Sequence, residues 1–215
     1  MRTTLSILTL LAIGAPAALT GQSGVVVGGF ETDGSVGLTR DEYQAIGRAL
    51  TDLLRTGLGA SAAPVSVEPT STTRPGRVDL GAARAAATAA GARYLVVGSL
   101  LDQYGDIKVQ ARIIDAMTGQ PIAVIRGDPA IDSREKLADA IVALTARLAA
   151  EPQLGARATR PIAGGIPITA LIAYGRGLGF EAAGDRPRAA AAYREAASAA
   201  PGFSEATAAL SRVGG

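Results

Sequence analysis

Four residue types are missing from this chain of 215 residues: cysteine, histidine, tryptophan and asparagine. Without histidine and cysteine, catalysis by Ser-His-Asp or Cys-His groups is excluded, and so are nearly all zinc sites. The absence of cysteine also excludes disulfides, so that packing alone must hold the folded chain together. Aromatic residues make up only 4% of the sequence, and we therefore expect a core built from Val, Leu, Ile and Ala.

The charged residues do not form a block of one sign. Lysine and arginine total 21 and aspartate and glutamate total 19, which leaves a net charge of +2. The cations are almost all arginines, with Lys108 and Lys136 as the two lysines, and carboxylates are interspersed among them. A nucleic-acid-binding protein concentrates its basic residues on one face or along one helix. The sequence therefore predicts no nucleic-acid partner.

Short motifs for cofactors and metals are also missing. Gly28, Gly29 and Gly34 follow a predicted strand but match neither the G-x-G-x-x-G nor the G-x-x-x-x-G-K-[ST] spacing. No D-x-D-x-D-G loop is present for calcium. Asp102 and Asp106 come nearest to a catalytic carboxylate pair, and their position on either side of Gly105 in a turn between two strands is typical of solvated turn carboxylates. We expect no catalytic residue, no cofactor and no bound metal, and hence no enzyme.

Residues 1–21 have the pattern of a secretory signal peptide. Arg2 supplies the positive charge, residues 5–13 form a short apolar run, and small residues follow it. The run is too short to span a bilayer, and no later apolar stretch is long enough, so that we expect no stable membrane span. Gln22 stands where a lipoprotein has its lipid-bearing cysteine, and we expect no lipid anchor. The mature protein is therefore expected in the periplasm or outside the cell, either free or loosely associated with the outer membrane.

Strand and helix patterns alternate over residues 24–151, which we interpret as one α/β domain. The predicted strands are 25–30, 64–67, 94–101, 107–113 and 122–126. The predicted helices are 40–58, 80–91 and 133–150, with Thr39, Asp79 and Asp132 as their N-terminal caps. Helical periodicity places Leu54 and Leu144 on buried helix faces. This order of elements favours an α+β fold, in which helices pack on a mixed sheet.

The remainder of the chain has a different pattern. Residues 152–166 contain prolines and glycines without periodicity, and we interpret them as a linker. Residues 167–215 are helical in pattern, with breaks at Gly184 and Pro201. This predicts a short all-α region, a helical hairpin followed by a closing helix.

The helical region contains the segment AYGRGLGFEAAGDRPRAAAAYREAASAAPG, which resembles a tetratricopeptide repeat. The matching small, aromatic, turn and proline positions are Gly177, Phe180, Gly184, Ala189, Tyr193, Ala196 and Pro201. Arg176 departs from the pattern, because leucine is usual at its position. The resemblance implies a protein-binding hairpin, and since one repeat needs neighbours to bury its faces, the closing helix would serve as a cap. The alternative is a plain helical hairpin packed on the first domain.

A second resemblance is carried by the segments VVVGGFETDG, RALTDLLRTGL and GARYLVVGS, and by the turn DAMTG. Together they make residues 24–150 similar to the N-terminal fold shared by TolB, the curli-secretion protein CsgG and the flagellar protein FlgO. The resemblance implies the α+β fold. Residues 152–215 do not have the pattern of the TolB propeller, and the chain lacks the lipid-bearing cysteine and the extra amphipathic hairpins expected of a CsgG-type pore.

The two resemblances together imply a function in binding. In tetratricopeptide folds the first helix of each pair lines the concave surface, which implies a partner-binding face on residues 168–184. Tyr174, Arg176 and Glu181 are the larger polar or amphipathic side chains of that helix, and tyrosine and arginine often dominate interface energy. We expect a non-catalytic interaction or assembly module whose partners are envelope proteins, with self-association as one form of such binding. Two alternatives stay open: an envelope hydrolase that uses acidic residues, and a subunit of a CsgG-like secretion assembly.

Overall fold

The computed structural model describes residues 24–33, 37–59, 77–155 and 159–214. The predicted signal peptide at 1–21 and the predicted strand at 64–67 lie outside these ranges. The strands are β1 (Gly24–Asp33), β2 (Ala92–Gln103), β3 (Asp106–Asp115) and β4 (Pro121–Arg126). The helices are α1 (Arg40–Gly57), α2 (Leu80–Ala89), α3 (Leu137–Ala149), α4 (Ile168–Ala182), α5 (Arg186–Ala199) and α6 (Ser204–Gly214).

The four strands form one mixed sheet in the order β1-β2-β3-β4. β1 and β2 are parallel, so the chain crosses over between them, and α1 and α2 lie in that crossover. β2, β3 and β4 follow one another as antiparallel neighbours joined by short turns. With helices packed on this sheet and a helical region after it, the predicted α+β fold is confirmed.

Two helix starts show how local sequence signals succeed and fail. At α1, the Thr39 hydroxyl accepts a hydrogen bond from the Glu42 amide, and the Glu42 carboxylate accepts one from the Thr39 amide, which is the predicted capping box. The prediction that Asp132 caps the helix expected at 133–150 is wrong. That helix, α3, begins at Leu137 after a 3₁₀ turn, Arg134–Lys136. The Asp132 carbonyl instead accepts a hydrogen bond from the Ile107 amide at 2.6 Å, which ties this residue to the start of β3.

The main core lies on one face of the sheet, which we call the covered face. α1 and α3 pack there against alternate strand residues, among them Val27, Val96 and Ile113. Leu54 of α1 and Leu144 of α3 are fully buried in this core, as the helical periodicity predicts. On the opposite face, α2 covers a smaller cluster around Leu95 at one end of the sheet.

The helical region packs on the sheet domain through α1. A side-chain carbon added to Gly175 of α4 would lie 1.8 Å from the Ala45 carbonyl oxygen, so the two helix backbones meet closely at this glycine. Residues from α1, α3, α4, α5 and α6 belong to one continuous buried cluster. α1 therefore has two apolar faces, one on the sheet and one on α4.

The described residues of the predicted linker 152–166 also pack against the sheet domain. Leu154 lies in a 3₁₀ turn, Pro152–Leu154, and is buried, as is Ile166. The Arg160 amide donates to the Gly57 carbonyl at 2.9 Å, and the Gly165 amide donates to Asp139 Oδ1 at 2.8 Å. These contacts connect the segment to the end of α1 and to α3.

Candidate functional site

Tyr174, the first of the three predicted partner-binding residues, lies between α4 and α1. Its side chain is only 2% exposed, and its hydroxyl donates to Asp52 Oδ2 at 2.6 Å. Burial and the nearby Asp52 charge both raise the pKa of the phenol well above its usual value, so it stays protonated. Asp52 is also hydrogen-bonded to Arg55 one turn further along α1. In this structure Tyr174 therefore joins the two helices from within.

Arg176 lies at the exposed outer edge of the contact between α4 and α1. Its Nε donates to Asp41 Oδ2 at 2.9 Å, and both side chains are more than a third exposed. An exposed ion pair of this kind contributes little to stability, about 0–1 kcal/mol. The guanidinium therefore remains accessible to a partner while it makes this pair.

Glu181 holds the three helices of the C-terminal region together. Its Oε1 and Oε2 accept hydrogen bonds from Arg212 Nε and Nη2, both at 2.8 Å, and Oε2 also accepts one from the Tyr193 hydroxyl at 2.5 Å. The hydrogen bonds from Arg212 are the main reason why the pKa of Glu181 lies below its usual value. The Glu181 carboxylate therefore connects α4 to α6 through a charge-assisted pair with Arg212 and to α5 through the neutral Tyr193 hydroxyl.

The buried carboxylates of the described residues are each bound by arginine. Asp102 is 3% exposed, and its carboxylate accepts two hydrogen bonds from Arg134, of 2.8 and 2.9 Å. Glu31 accepts a hydrogen bond from Arg112 at 2.8 Å. The sequence interpretation of Asp102 as a solvated turn residue is wrong, because the strand alternation of β2 directs it to the covered face. The neighbouring Asp106 instead forms an isolated bridge with Ser133, and no carboxylate pair results.

The far end of the sheet's second face is not covered by the helices described. We call this surface the open sheet face, and it consists of Leu101, Lys108, Gln110, Arg112, Val124 and Arg126. Leu101 is 38% exposed and Val124 is 52% exposed, so this part of the sheet presents apolar side chains to solvent. Ser99 separates β1 from β3 on this face, and its small side chain lets Arg112 reach across β2 to Glu31.

The open sheet face combines apolar contact area with positive charge. Within the described ranges, the side chains of Lys108 and Arg126 make no ion pair, and both are exposed. Beside this face, an open depression lies between β4 and the end of α3, lined by Val124, Ile125, Arg126, Arg147, Ala150 and Glu151. Exposed apolar and arginine side chains grouped in this way suit protein recognition.

Two further findings concern metals and membranes. Among the side chains that the structure describes, no three Asp or Glu residues come together as a metal ion would require. Within the same ranges, no helix combines the length and the apolar character needed to cross a bilayer.

Part of the open sheet face is predictable from the sequence. Lys108, Gln110 and Arg112 alternate with apolar residues, which predicts one wet face for this strand. Which part of that face remains uncovered depends on the short helix α2, whose buried side chains are only Ala83 and Ala87. The pattern within one helix does not indicate the intramolecular partners of Tyr174 and Glu181, because those partners lie on other helices.

Comparison with protein families and with curated proteins gives no match. Among solved structures, the chain is similar to the LpoB C-terminal domain from Salmonella enterica, with 21% sequence identity and a TM-score of 0.31. The similarity covers 52% of this chain and 84% of that domain. At this TM-score it carries no conclusion about the present chain.

Proposed function

We propose that this chain is an exported, non-catalytic protein of the cell envelope that acts as a protein-interaction or assembly module. The observation that carries the proposal is the open sheet face, where exposed Leu101 and Val124 lie beside Lys108 and Arg126, two cations without an ion pair in the described ranges. The engagement of Asp102 and Glu31 by arginines supports it further, because neither carboxylate is free for acid–base chemistry. No contact within the described residues favours the alternative of an acidic hydrolase.

The finer parts of the proposal concern the two resemblances. The parallel pair β1 and β2 followed by an antiparallel hairpin is consistent with a TolB, CsgG and FlgO type of domain at 24–151. A tetratricopeptide-like hairpin at 167–215 is supported by Gly177, over which the Tyr193 ring packs, and by the left-handed turn at Gly184, with φ of 76°. A subunit of a CsgG-like assembly is a special case of the same function.

The three predicted binding residues contribute to this function in two ways. Arg176 contacts the partner directly, since its guanidinium is at the rim of α4 and its pair with Asp41 is exposed. Tyr174 and Glu181 shape the same surface from beneath, through Asp52 on one side and Arg212 on the other. Partner binding by the hairpin then depends on α4 staying docked on α1.

Recovery of partners from an envelope fraction tests the proposal. The mature protein, residues 22–215, serves as bait, together with the variants Lys108→Glu and Arg176→Ala. Lys136→Glu is the matched control, because Lys136 is also exposed but lies at the start of α3, which packs on the covered face. We expect an envelope protein that is retained by Lys136→Glu and lost or strongly reduced with Lys108→Glu. Equal recovery by every variant, or no specific protein at all, would contradict the proposal.

Cell fractionation tests the location. We expect the mature chain in the periplasmic fraction or released from membranes by salt, because Gln22 offers no site for a lipid. A chain that leaves the membranes only when detergent is added would contradict this.

A further inference from the structure

We propose that the outer edge of β4 pairs with β4 of a second copy of this chain. The inference rests on the proposed assembly role and names one partner for it. β4 is an edge strand of the described sheet, with β3 as its neighbour on one side. Its sequence, PIAVIR, carries no charge before Arg126. Monomeric proteins usually protect such an edge with lysine, proline, inward-pointing charge or a bulge.

The backbone of β4 leaves hydrogen-bonding groups unused at this edge. The Gly127 amide donates to the Val109 carbonyl at 2.7 Å, so the backbone N–H of Gly127 faces β3. Antiparallel ladders alternate, and Val124 and Arg126 must therefore point their backbone groups outward. Consistent with this, Arg147 Nη1 reaches the Arg126 carbonyl from outside the sheet, at 3.1 Å. No residue in the described ranges takes the outward amide and carbonyl of Val124.

The edge is protected at the two ends of the strand, by Pro121 at its start and by Arg147 on the Arg126 carbonyl at its end. The irregular register between β3 and β4 next to Ile113 also lies near its start. Between these ends, Ile122 and Val124 are both exposed apolar side chains. The open depression between β4 and α3 leaves space beside Val124 for an added strand. Residues 122–126 form the segment for pairing, and the partly exposed side chain of Arg147 leaves the Arg126 carbonyl when the second strand is added.

A second copy fits this segment because the segment is complementary to itself. In an antiparallel pair about a two-fold axis, Val124 lies opposite Val124 of the partner subunit, and Arg126 lies opposite the partner subunit's Ile122. The two Arg126 residues are then four positions apart along the ladder, about 13 Å. That exceeds the Debye length of about 8 Å at physiological ionic strength. The low net charge of the chain, +2 including Arg2 of the predicted signal, adds little repulsion between copies.

The pairing has a structural consequence for the proposed function. It joins two four-stranded sheets into one, so that the open sheet faces of both copies become continuous across the two-fold axis. A pair of strands this short buries less surface than the roughly 1,200 Å² of a stable specific interface. We therefore expect weak association, strengthened where the chain is concentrated.

Charge substitution at the two-fold axis tests the inference in purified mature protein, by sedimentation velocity over a concentration series. Val124→Glu and Val124→Lys each place like charges opposite one another and should weaken the dimer at least tenfold. An equimolar mixture of the two variants places Glu opposite Lys and should restore a dimer. Met117→Glu is the control, because Met117 is exposed in the turn before β4 and not in the paired segment. Circular dichroism establishes that each variant is folded.

A second measurement does not depend on substitution. Pairing buries the outward amide of Val124, so its hydrogen exchange should slow as the concentration of the unmodified protein rises. A parent protein that stays monomeric into the millimolar range would overturn the inference. So would variants that dimerise like the parent, or a mixture that stays monomeric. Envelope partners recovered through Lys108 in those cases would leave the proposed function standing without self-pairing.

Discussion

Among single residues, Tyr174 is buried between two helices, which the sequence around it does not predict. Sequence reasoning selected it as an amphipathic side chain on a binding helix, but it is buried, and its hydroxyl is bound to a carboxylate on another helix. Its ring also lies 4.9 Å from the Phe203 ring and 5.6 Å from the Tyr193 ring, measured between centroids. Helical periodicity identifies a buried position, but the hydrogen-bond partner Asp52 lies 122 residues earlier in the chain. Such a partner cannot be predicted from spacing along one helix.

Removal of one hydroxyl measures this contact. Tyr174→Phe keeps the packing but leaves Asp52 without the phenol, and we expect a loss of about 1.5–3 kcal/mol in the free energy of unfolding, as for hydrogen bonds to charged groups. Urea denaturation provides the measurement. Tyr104→Phe is the matched control, since Tyr104 is 86% exposed in the β2–β3 turn and should have no effect. Equal midpoints for Tyr174→Phe and the parent would mean that the contact adds nothing.

The same tyrosines set the alkaline limit of stability. Burial raises the pKa of both Tyr174 and Tyr193 in the folded chain, while the unfolded phenol keeps its usual value near 10. The stabilisation is therefore complete below about pH 10 and is lost as the pH rises above it, because only the unfolded chain then releases its protons. We expect the doubly substituted Tyr174→Phe, Tyr193→Phe protein to lose less stability than the parent between pH 9.5 and 11. Parallel stability curves across that window would contradict the assignment.

At the scale of elements, α4 depends on two glycines that face α1. An added methyl at Gly175 meets backbone, whereas at Gly179 it meets the flexible end of Arg48, 3.1 Å away. The sequence alone gives these two glycines the same interpretation, as small residues that allow close packing of helices. The structure separates them, because only one lies against the Ala45 carbonyl.

Two alanine substitutions test this difference. Each removes a glycine from a helix interior, which by itself favours folding by about 1 kcal/mol. At Gly179 we expect that gain to offset the small shift of Arg48, so that stability stays within about 1 kcal/mol of the parent. At Gly175 the clash outweighs the gain, and we expect a net loss of about 1–3 kcal/mol or more. Thermal unfolding of both variants provides the measurement. Similar unfolding midpoints for Gly175→Ala and Gly179→Ala would show that α4 is not held close to α1.

The elements also show how far pattern reasoning reaches. Strands β1 to β4 and the helix starts at Thr39 and Asp79 follow from alternation and capping, which act over a few residues. The 3₁₀ turn before α3 does not, because Asp132 is held by a strand amide from Ile107. The alternation of β2 places Asp102 on the covered face, but its partner Arg134 lies 32 positions away and is not indicated by local pattern. Local signals specify elements, whereas long-range contacts decide which polar residues are buried.

For the whole molecule, α1 is the element that both parts of the chain share. The sequence predicts two domains at 24–151 and 167–215, and one buried core runs through α1 from the sheet to α4. Whether the two parts also fold independently depends on the energy of the α1–α4 contact. A shared helix buried on two faces favours one cooperative unit.

Native-state hydrogen exchange tests this cooperativity. We expect the slowest amides of α5 and of β2 to exchange through openings of similar free energy, because loss of the hairpin uncovers the second face of α1. The variant Gly175→Ala is the useful comparison, since it should lower the opening energy of α5 before that of β2. If α5 in the parent opens at a much lower free energy than β2, the two parts are separate folding units.

The central claim is that this chain works by binding through the open sheet face, and its two lysines allow a direct test. Lys108 lies on that face, whereas Lys136 lies at the start of α3. The measurement is amine-reactive cross-linking of the native protein in intact envelopes, followed by identification of the linked peptides. We expect cross-links from Lys108 to a defined protein, another copy of the chain included, with few from Lys136. Equal linkage of both lysines to unrelated proteins, or none from Lys108, would contradict the claim.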